Sequence, residues 1–309
     1  MSQTIKIVSF NLRSQYTGDG INAFIHRAGM IYDKIKKEAP DVVAFQEVIE
    51  PHYDVLPKLM PDYTFLGQFR NADYTGEGVF TAIRTADWLP IFYDVFWISP
   101  TPHVPASRFE DQSHCPRICV VTGLRHKASG KLIRVCNIHL DHIGETARVK
   151  GIRCVLEKMA EYERELPMPT VLLGDFNAEP GSETIRATEA ATEPVLYDLT
   201  GQLEGTFHDY GKVTGCKIDY IYVTDTLKEA AGHVNLWEDE MHGNLNILIT
   251  NLNYDVSNLA LPNDIGKLRA NCKQRCMQTE TCHFCETAFL FEKALHKYKE
   301  NKNISTQQD

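Results

Sequence analysis

Asp175 and Asn177 lie in Leu172-Leu173-Gly174-Asp175-Phe176-Asn177, where an apolar run gives way to a polar turn. Side chains two residues apart on an extended backbone point to the same side. A carboxylate beside an amide can orient a water and hydrogen-bond a phosphoryl oxygen at once. An Asx turn closing a buried strand accounts for the pair equally well. Glu47 follows Phe45-Gln46 at the end of a second apolar run, where a carboxylate is costly unless hydrogen-bonded, paired or bound to a cation. Hard cations such as magnesium take oxygen ligands of this kind, although a solvated strand end fits too. Asn11 holds the same position after the first apolar run.

Asn137-Ile138-His139-Leu140-Asp141-His142 is the densest polar cluster, and strand alternation puts Asn137, His139 and Asp141 on one face. One reading is a phosphate-binding histidine with supporting neighbours. Another is a metallo-β-lactamase-like zinc cluster, which His139, Asp141 and His142 partly imitate, although that pattern calls for a histidine where this chain has Asn137. The bland alternative is a set of satisfied core or surface histidines. Asp219, between Ile218 and Tyr220 at the start of a strand, could accept a hydrogen bond from a histidine.

The elements that must carry these residues are strands and helices in mixed order. Ile5, Val8, Phe10 and Leu12 predict a strand, and Ile21, Ile25, Ala28, Ile31 and Ile35 predict a helix that ends before Pro40. Val42-Val43-Ala44-Phe45 reads as a strand covered on both faces. Further strands are predicted over 79–83, 89–98, 118–125, 132–140, 170–173 and 218–223, with helices over 146–165 and after the cap-like Ser182. Neighbouring strand pairs beside strand–helix alternation predict an α/β sandwich in preference to a purely parallel sheet.

The chain has 309 residues and a formal net charge of −9. An acidic balance argues against broad, charge-driven attachment to nucleic acid or anionic membranes and leaves substrate charge to be met locally. With no apolar run long enough for a membrane span and nine irregularly spaced cysteines, the expectation is a soluble cytoplasmic protein with reduced thiols and no membrane partner.

Five motifs in order, Ser9-Phe10-Asn11-Leu12-Arg13, Phe45-Gln46-Glu47-Val48, Asn137-Ile138-His139, Gly174-Asp175-Phe176-Asn177 and Lys217-Ile218-Asp219-Tyr220, resemble the endonuclease/exonuclease/phosphatase superfamily of deoxyribonuclease-I-like phosphoesterases. Phe96-Trp97-Ile98-Ser99, Pro116-Arg117-Ile118-Cys119 and Gly205-Thr206-Phe207-His208 are similar to the branch that groups carbon-catabolite-repressor deadenylases with small bacterial hydrolases. The resemblance implies a four-layer α/β sandwich of two packed mixed β-sheets flanked by helices. It implies a magnesium-dependent phosphoesterase, with manganese as a substitute ion, acting on phosphodiesters or phosphomonoesters, including 3′–5′ exonuclease action on RNA. By the same resemblance Glu47 and Asn11 bind the metal, Asp175 positions or deprotonates water, and Asn177 and His139 hold phosphoryl oxygens. Asp219 orients a late histidine, His208 touches substrate, and Arg117 either touches phosphate or forms a structural salt bridge. Tyr16, Tyr74, Phe207 and Tyr210 could stack bases or simply pack.

The family's last motif, Ser-Asp-His followed closely by Pro, is absent after Asp219; His233 and His242 remain, neither preceded by Asp. Residues 1–244 therefore read as a C-terminally incomplete domain and 245–309 as an atypical tail. Asn246-Ile247-Leu248-Ile249-Thr250 can be encoded AAT-ATT-CTG-ATC-ACN, which yields Tyr-Ser-Asp-His when read from the last base of the first codon. The expectation is a tail out of frame, a missing closing strand with an unpaired sheet edge, and impaired catalysis that would leave a binding protein. A continuous genomic frame using other codons would end that idea. A rival for the tail, zinc on Cys272, Cys276, Cys282 and Cys285, has unusually close pairs.

Overall fold

The computed structural model describes residues 3–14, 19–207, 209, 215–237 and 247–254. One six-stranded sheet runs in the order β11 (Ala231–Leu236), β12 (Ile247–Tyr254), β1 (Gln3–Asn11), β2 (Val42–Val48), β4 (Gly78–Arg84) and β3 (Tyr63–Phe69). The other runs β5 (Trp88–Trp97), β6 (Ile118–His126), β7 (Leu132–His139), β8 (Thr170–Asp175), β10 (Asp219–Thr224) and β9 (Leu196–Asp198). Each sheet joins one parallel pair, β1 with β2 and β7 with β8, to antiparallel neighbours. The helices are α1 (Phe24–Glu38), α2 (Glu50–Leu59), α3 (Glu145–Glu165), α4 (Glu183–Glu189) and the short α5 (Asp225–Lys228).

Strand alternation sorts most of the apolar side chains into three large cores, beside a small fourth of Val79, Val95, Trp97, Ile118 and Val120. Ile5, Ile7, Val42 and Ala44 meet Val135, Val171, Leu173, Ile221 and Val223 between the sheets. Val8, Phe10, Val43 and Phe45 face the opposite way, onto Phe24, Ile31 and Ile35 of α1 and Leu56 of α2. Cys136, Ile138, Leu172 and Tyr220 are covered by Ile152, Val155 and Met159 of α3. The result is the four-layer sandwich that the family resemblance implies, and it explains why β2 is apolar from Val42 to Phe45.

The details differ in places. Ile25 points into solvent at 73% exposure, because the buried stripe of α1 starts at Phe24 and steps by four and three to Ala28, Ile31 and Ile35. Ile21 belongs to a preceding 3-10 turn. Helix α2 carries Pro57 in its interior, and β3 is half-buried throughout, so neither has a clean periodic signal. The first sheet continues past residue 244: β12 pairs with β1 from Phe10↔Ile247 to Gln3↔Tyr254 and with β11 on its other side. The edge expected to lie open is paired.

Gly174 sits at φ +139°, where a β-carbon would fall 2.0 Å from the carbonyl oxygen of Ile138. Glycine there lets β8 close onto β7 immediately before Asp175. Gly174→Ala is expected to cost about 2–4 kcal/mol from backbone strain and overpacking together, measured as a lower denaturant midpoint at unchanged slope. An unchanged midpoint would show that the approach is not tight.

Candidate active site

Parity places the polar residues. Asn11 continues the Ile5, Ile7 face of β1, His139 the Ile133, Val135 face of β7, and Asp175 the Val171, Leu173 face of β8. Asp219 opens the Ile221, Val223 face of β10. All four thus leave the inter-sheet core at one end of the sandwich, and His139 and Asp219 are the register partners of Asp175 on either side. Glu47 has the wrong parity, since Val42, Ala44 and Gln46 own the inner face of β2. Its backbone is left-handed, φ 55°, and the pairing of β2 with β4 is irregular between Phe45 and Val48. Such a bulge re-aims a side chain at a cost of about 1–3 kcal/mol for the strained residue.

The re-aimed carboxylate joins the others. Asn11 Nδ2 donates to Glu47 Oε1 at 3.0 Å and to Asp175 Oδ2 at 2.9 Å, and its Oδ1 accepts from the Arg13 amide at 2.8 Å. Ser14 holds Glu47 Oε2 with its amide at 2.6 Å and its hydroxyl at 2.9 Å, and the same hydroxyl lies 3.0 Å from Glu77 Oε1. Glu47, His139 and Asp175 each offer a ligand atom within 4.8 Å of the others. Asn177, in a left-handed turn at φ 49°, donates its backbone N–H to Asp175 Oδ1 at 2.8 Å and its side-chain amide to Leu140 O at 3.1 Å.

Burial sets the charge states. Desolvation pushes Asp175 up to about 6 despite the Asn11 hydrogen bond, with Glu47 adding to the rise. Asp219 is raised well above the carboxylate range, first by burial and then by Asp175; Thr206 Oγ1 donates to its Oδ2 at 2.6 Å, and among the described residues its Oδ1 has no partner. His139 is held well below its ordinary value by burial and then by Arg117 and Arg70. Its Nε2 lies 3.7 Å from Asp175 Oδ2, and with the ring neutral this contact is not an ion pair.

The rest of the 137–142 cluster does other work. Asn137 Oδ1 accepts from Gln46 Nε2 at 2.7 Å, and its amide donates to the carbonyls of Phe45 and Phe80, so it clips the two sheets together. Asp141 accepts from the Ser113 hydroxyl and from the amides of Ser113, Ile143 and Gly144, anchoring the start of α3. His142 Nδ1 contacts Arg117 Nη2 at 3.0 Å. His139, Asp141 and His142 therefore do not converge on a zinc site. His208, Tyr16, Tyr210, His242 and the four tail cysteines lie outside the described residues, while the five described cysteines are free thiols. Tyr74 is about half exposed and Phe207 bridges to Cys216. Ser14, Glu77 and Arg70 carry no periodic or motif signal in the sequence. Thr206 does lie within a recognisable motif, but nothing in it marks the hydroxyl as the partner of Asp219.

A family model described as the endonuclease/exonuclease/phosphatase family matches residues 8–241. Among solved structures, an endonuclease/exonuclease/phosphatase from Bacteroides vulgatus is 25% identical, covers 82% of this chain and 100% of its own, and superposes with TM-score 0.74. A family protein from Bacteroides thetaiotaomicron is also 25% identical, over 84% of this chain and 99% of its own, with TM-score 0.76. A mannosyl-6-phosphatase from the same organism is 25% identical over 80% and 98%, with TM-score 0.69. No curated protein matches the chain.

Proposed function

The chain belongs to the endonuclease/exonuclease/phosphatase family, and from that premise we propose that it is a magnesium-dependent phosphoesterase, with manganese able to substitute. The observation that supports this most directly is the convergence of Glu47 and Asp175, carried by opposite sheets, on one point beside His139. The donor set fits a hard divalent ion: two carboxylate oxygens converge beside one imidazole nitrogen, and Asn11, whose Nδ2 now bridges the two carboxylates, would offer its amide oxygen to an ion once turned over. In this reading Glu47 and Asn11 hold the ion, which when bound offsets charge developing on the phosphoryl group. Asp175 takes the proton of the attacking water, and a carboxylate raised to about 6 is ionised at neutral pH yet basic enough for the task. A neutral His139 donates its N–H to a phosphoryl oxygen, and Asn177 fixes the loop that presents Asp175. RNA and nucleotides remain within this substrate class, with 3′–5′ RNA exonuclease action as its narrower form, tested by the ladder formed from 5′-labelled RNA. Among the described residues no helix is long and apolar enough to cross a membrane, and the free thiols support a cytoplasmic site of action.

A proton held by folded Asp175 near pH 6 is released near 3.8 in the unfolded chain. Asp175's contribution to the stability of the metal-free protein should therefore be fully present below about pH 4 and be lost as pH rises through 6. Magnesium should cancel the loss, so its gain in Tm is expected to be larger at pH 8 than at pH 5 and to vanish in Glu47→Gln. An equal gain at both pH values, or one that survives the substitution, would remove the ion from this site.

A second reading has its own observation. Among the described residues Asp219 Oδ1 is buried without a partner, where the family pattern would supply a histidine, so a binding protein with little turnover is the alternative. Hydrolysis of bis(p-nitrophenyl) phosphate and p-nitrophenyl phosphate with and without magnesium separates the two.

A further inference from the structure

Arg117 is 4% exposed, and no carboxylate forms a salt bridge with it among the described residues. Its Nη2 meets His142, whereas Nε and Nη1 have no partner among the described residues. A buried guanidinium left this way is costly, and such groups call for an explanation. Its neighbour Arg70 is paired with Glu77 at 2.5 Å yet also leaves Nε unpartnered. Both arginines, with Glu77, Val79 and His139, line one small cavity of about 10 Å³, which is room for roughly one oxygen-sized group.

Resting on the phosphoesterase reading above, we propose that this cavity receives the third non-bridging oxygen of a terminal phosphomonoester, and that Arg117 thereby selects monoesters over diesters. A monoester presents three non-bridging oxygens and a diester two. The cation and His139 account for two oxygens; the arginine-lined cavity beside His139 faces the third. In a diester that third position carries the continuing ester chain, which a cavity of this size cannot admit, so this selection excludes the RNA exonuclease form named above. Arg117 is then a substrate-binding residue whose spare donors are satisfied only when substrate is present.

The test needs no turnover. Affinities of the full chain for inorganic phosphate and for dimethyl phosphate are measured in magnesium by the shift in Tm. Phosphate is expected to bind at least about tenfold more tightly, because dimethyl phosphate lacks the third free oxygen. Arg117→Gln should erase that preference while leaving the Tm gain from magnesium alone unchanged, and Arg117→Lys, which keeps the charge but moves the donors, should lower it by a similar factor. Circular dichroism reports whether each variant folds. Equal affinity for the two anions in the unaltered protein, or a preference that survives either folded variant, would overturn the proposal. A chain that shows no magnesium effect at all would instead break the metal reading on which it rests.

Discussion

Asp175→Asn is expected to lower kcat by about a hundredfold to ten-thousandfold while KM stays within a few-fold of its original value. The substitution keeps the shape of the side chain and removes the one group that is buried, ionised near neutrality and aimed outward between Asn11 and the Asn177 amide. The replacement carboxamide could still accept the Asn177 N–H through its oxygen, so the turn is expected to keep its form. The acid limb of the kcat profile, set by Asp175, should disappear with the rate. A rise in KM at unchanged kcat would mean that Asp175 binds substrate and that the proton goes elsewhere.

The second large effect runs in the opposite direction. A chain carrying Tyr-Ser-Asp-His after about Leu245, as the shifted frame would encode, is expected to turn over roughly a hundredfold to a thousandfold faster than the chain as written. One positioned donor to a developing phosphoryl charge is worth about that much. The buried carboxyl group is already in place, since among the described residues Asp219 Oδ1 has no partner while Thr206 fixes the other oxygen. Because Ile247–Tyr254 already fills the place beside β1, the gain should appear chiefly in rate, with stability changing less than a missing strand would require. Equal turnover in the two chains would show that another group already serves Asp219.

Most of the strands and the two long helices could be read from periodicity, because each has one face against a core. Asn11, His139, Asp175 and Asp219 were legible for the same reason: each breaks an apolar face at the end of its strand. Glu47 was legible as a costly carboxylate, but its aim was not, since a left-handed residue in a strand overrules the alternation from which orientation is read. Asn137 shows the converse failure. It shares the face of His139, yet it is buried one layer deeper, and depth within a face is invisible to a period of two. Ser14 and Glu77 act through contacts across 33 and 63 residues, distances over which sequence pattern says nothing about side-chain meeting. The strand Ile247–Tyr254 was hidden because the family motif expected there is missing, and its absence outweighed the apolar run that does pair with β1.

Asn137 bears on the proposed metal site as well. Glu47 stands on one sheet, Asp175 and His139 on the other, so the width available to a cation held between them is the thickness of the sandwich at that end. Asn137 hydrogen-bonds Gln46, Phe45 and Phe80 across that gap just behind the site, which makes it a mechanical gauge. Magnesium needs oxygens at about 2.0–2.1 Å and calcium at about 2.3–2.6 Å. On the proposed metal reading, a jaw held at fixed opening by its own hinge pin would discriminate between ions of those radii through a residue that never touches them.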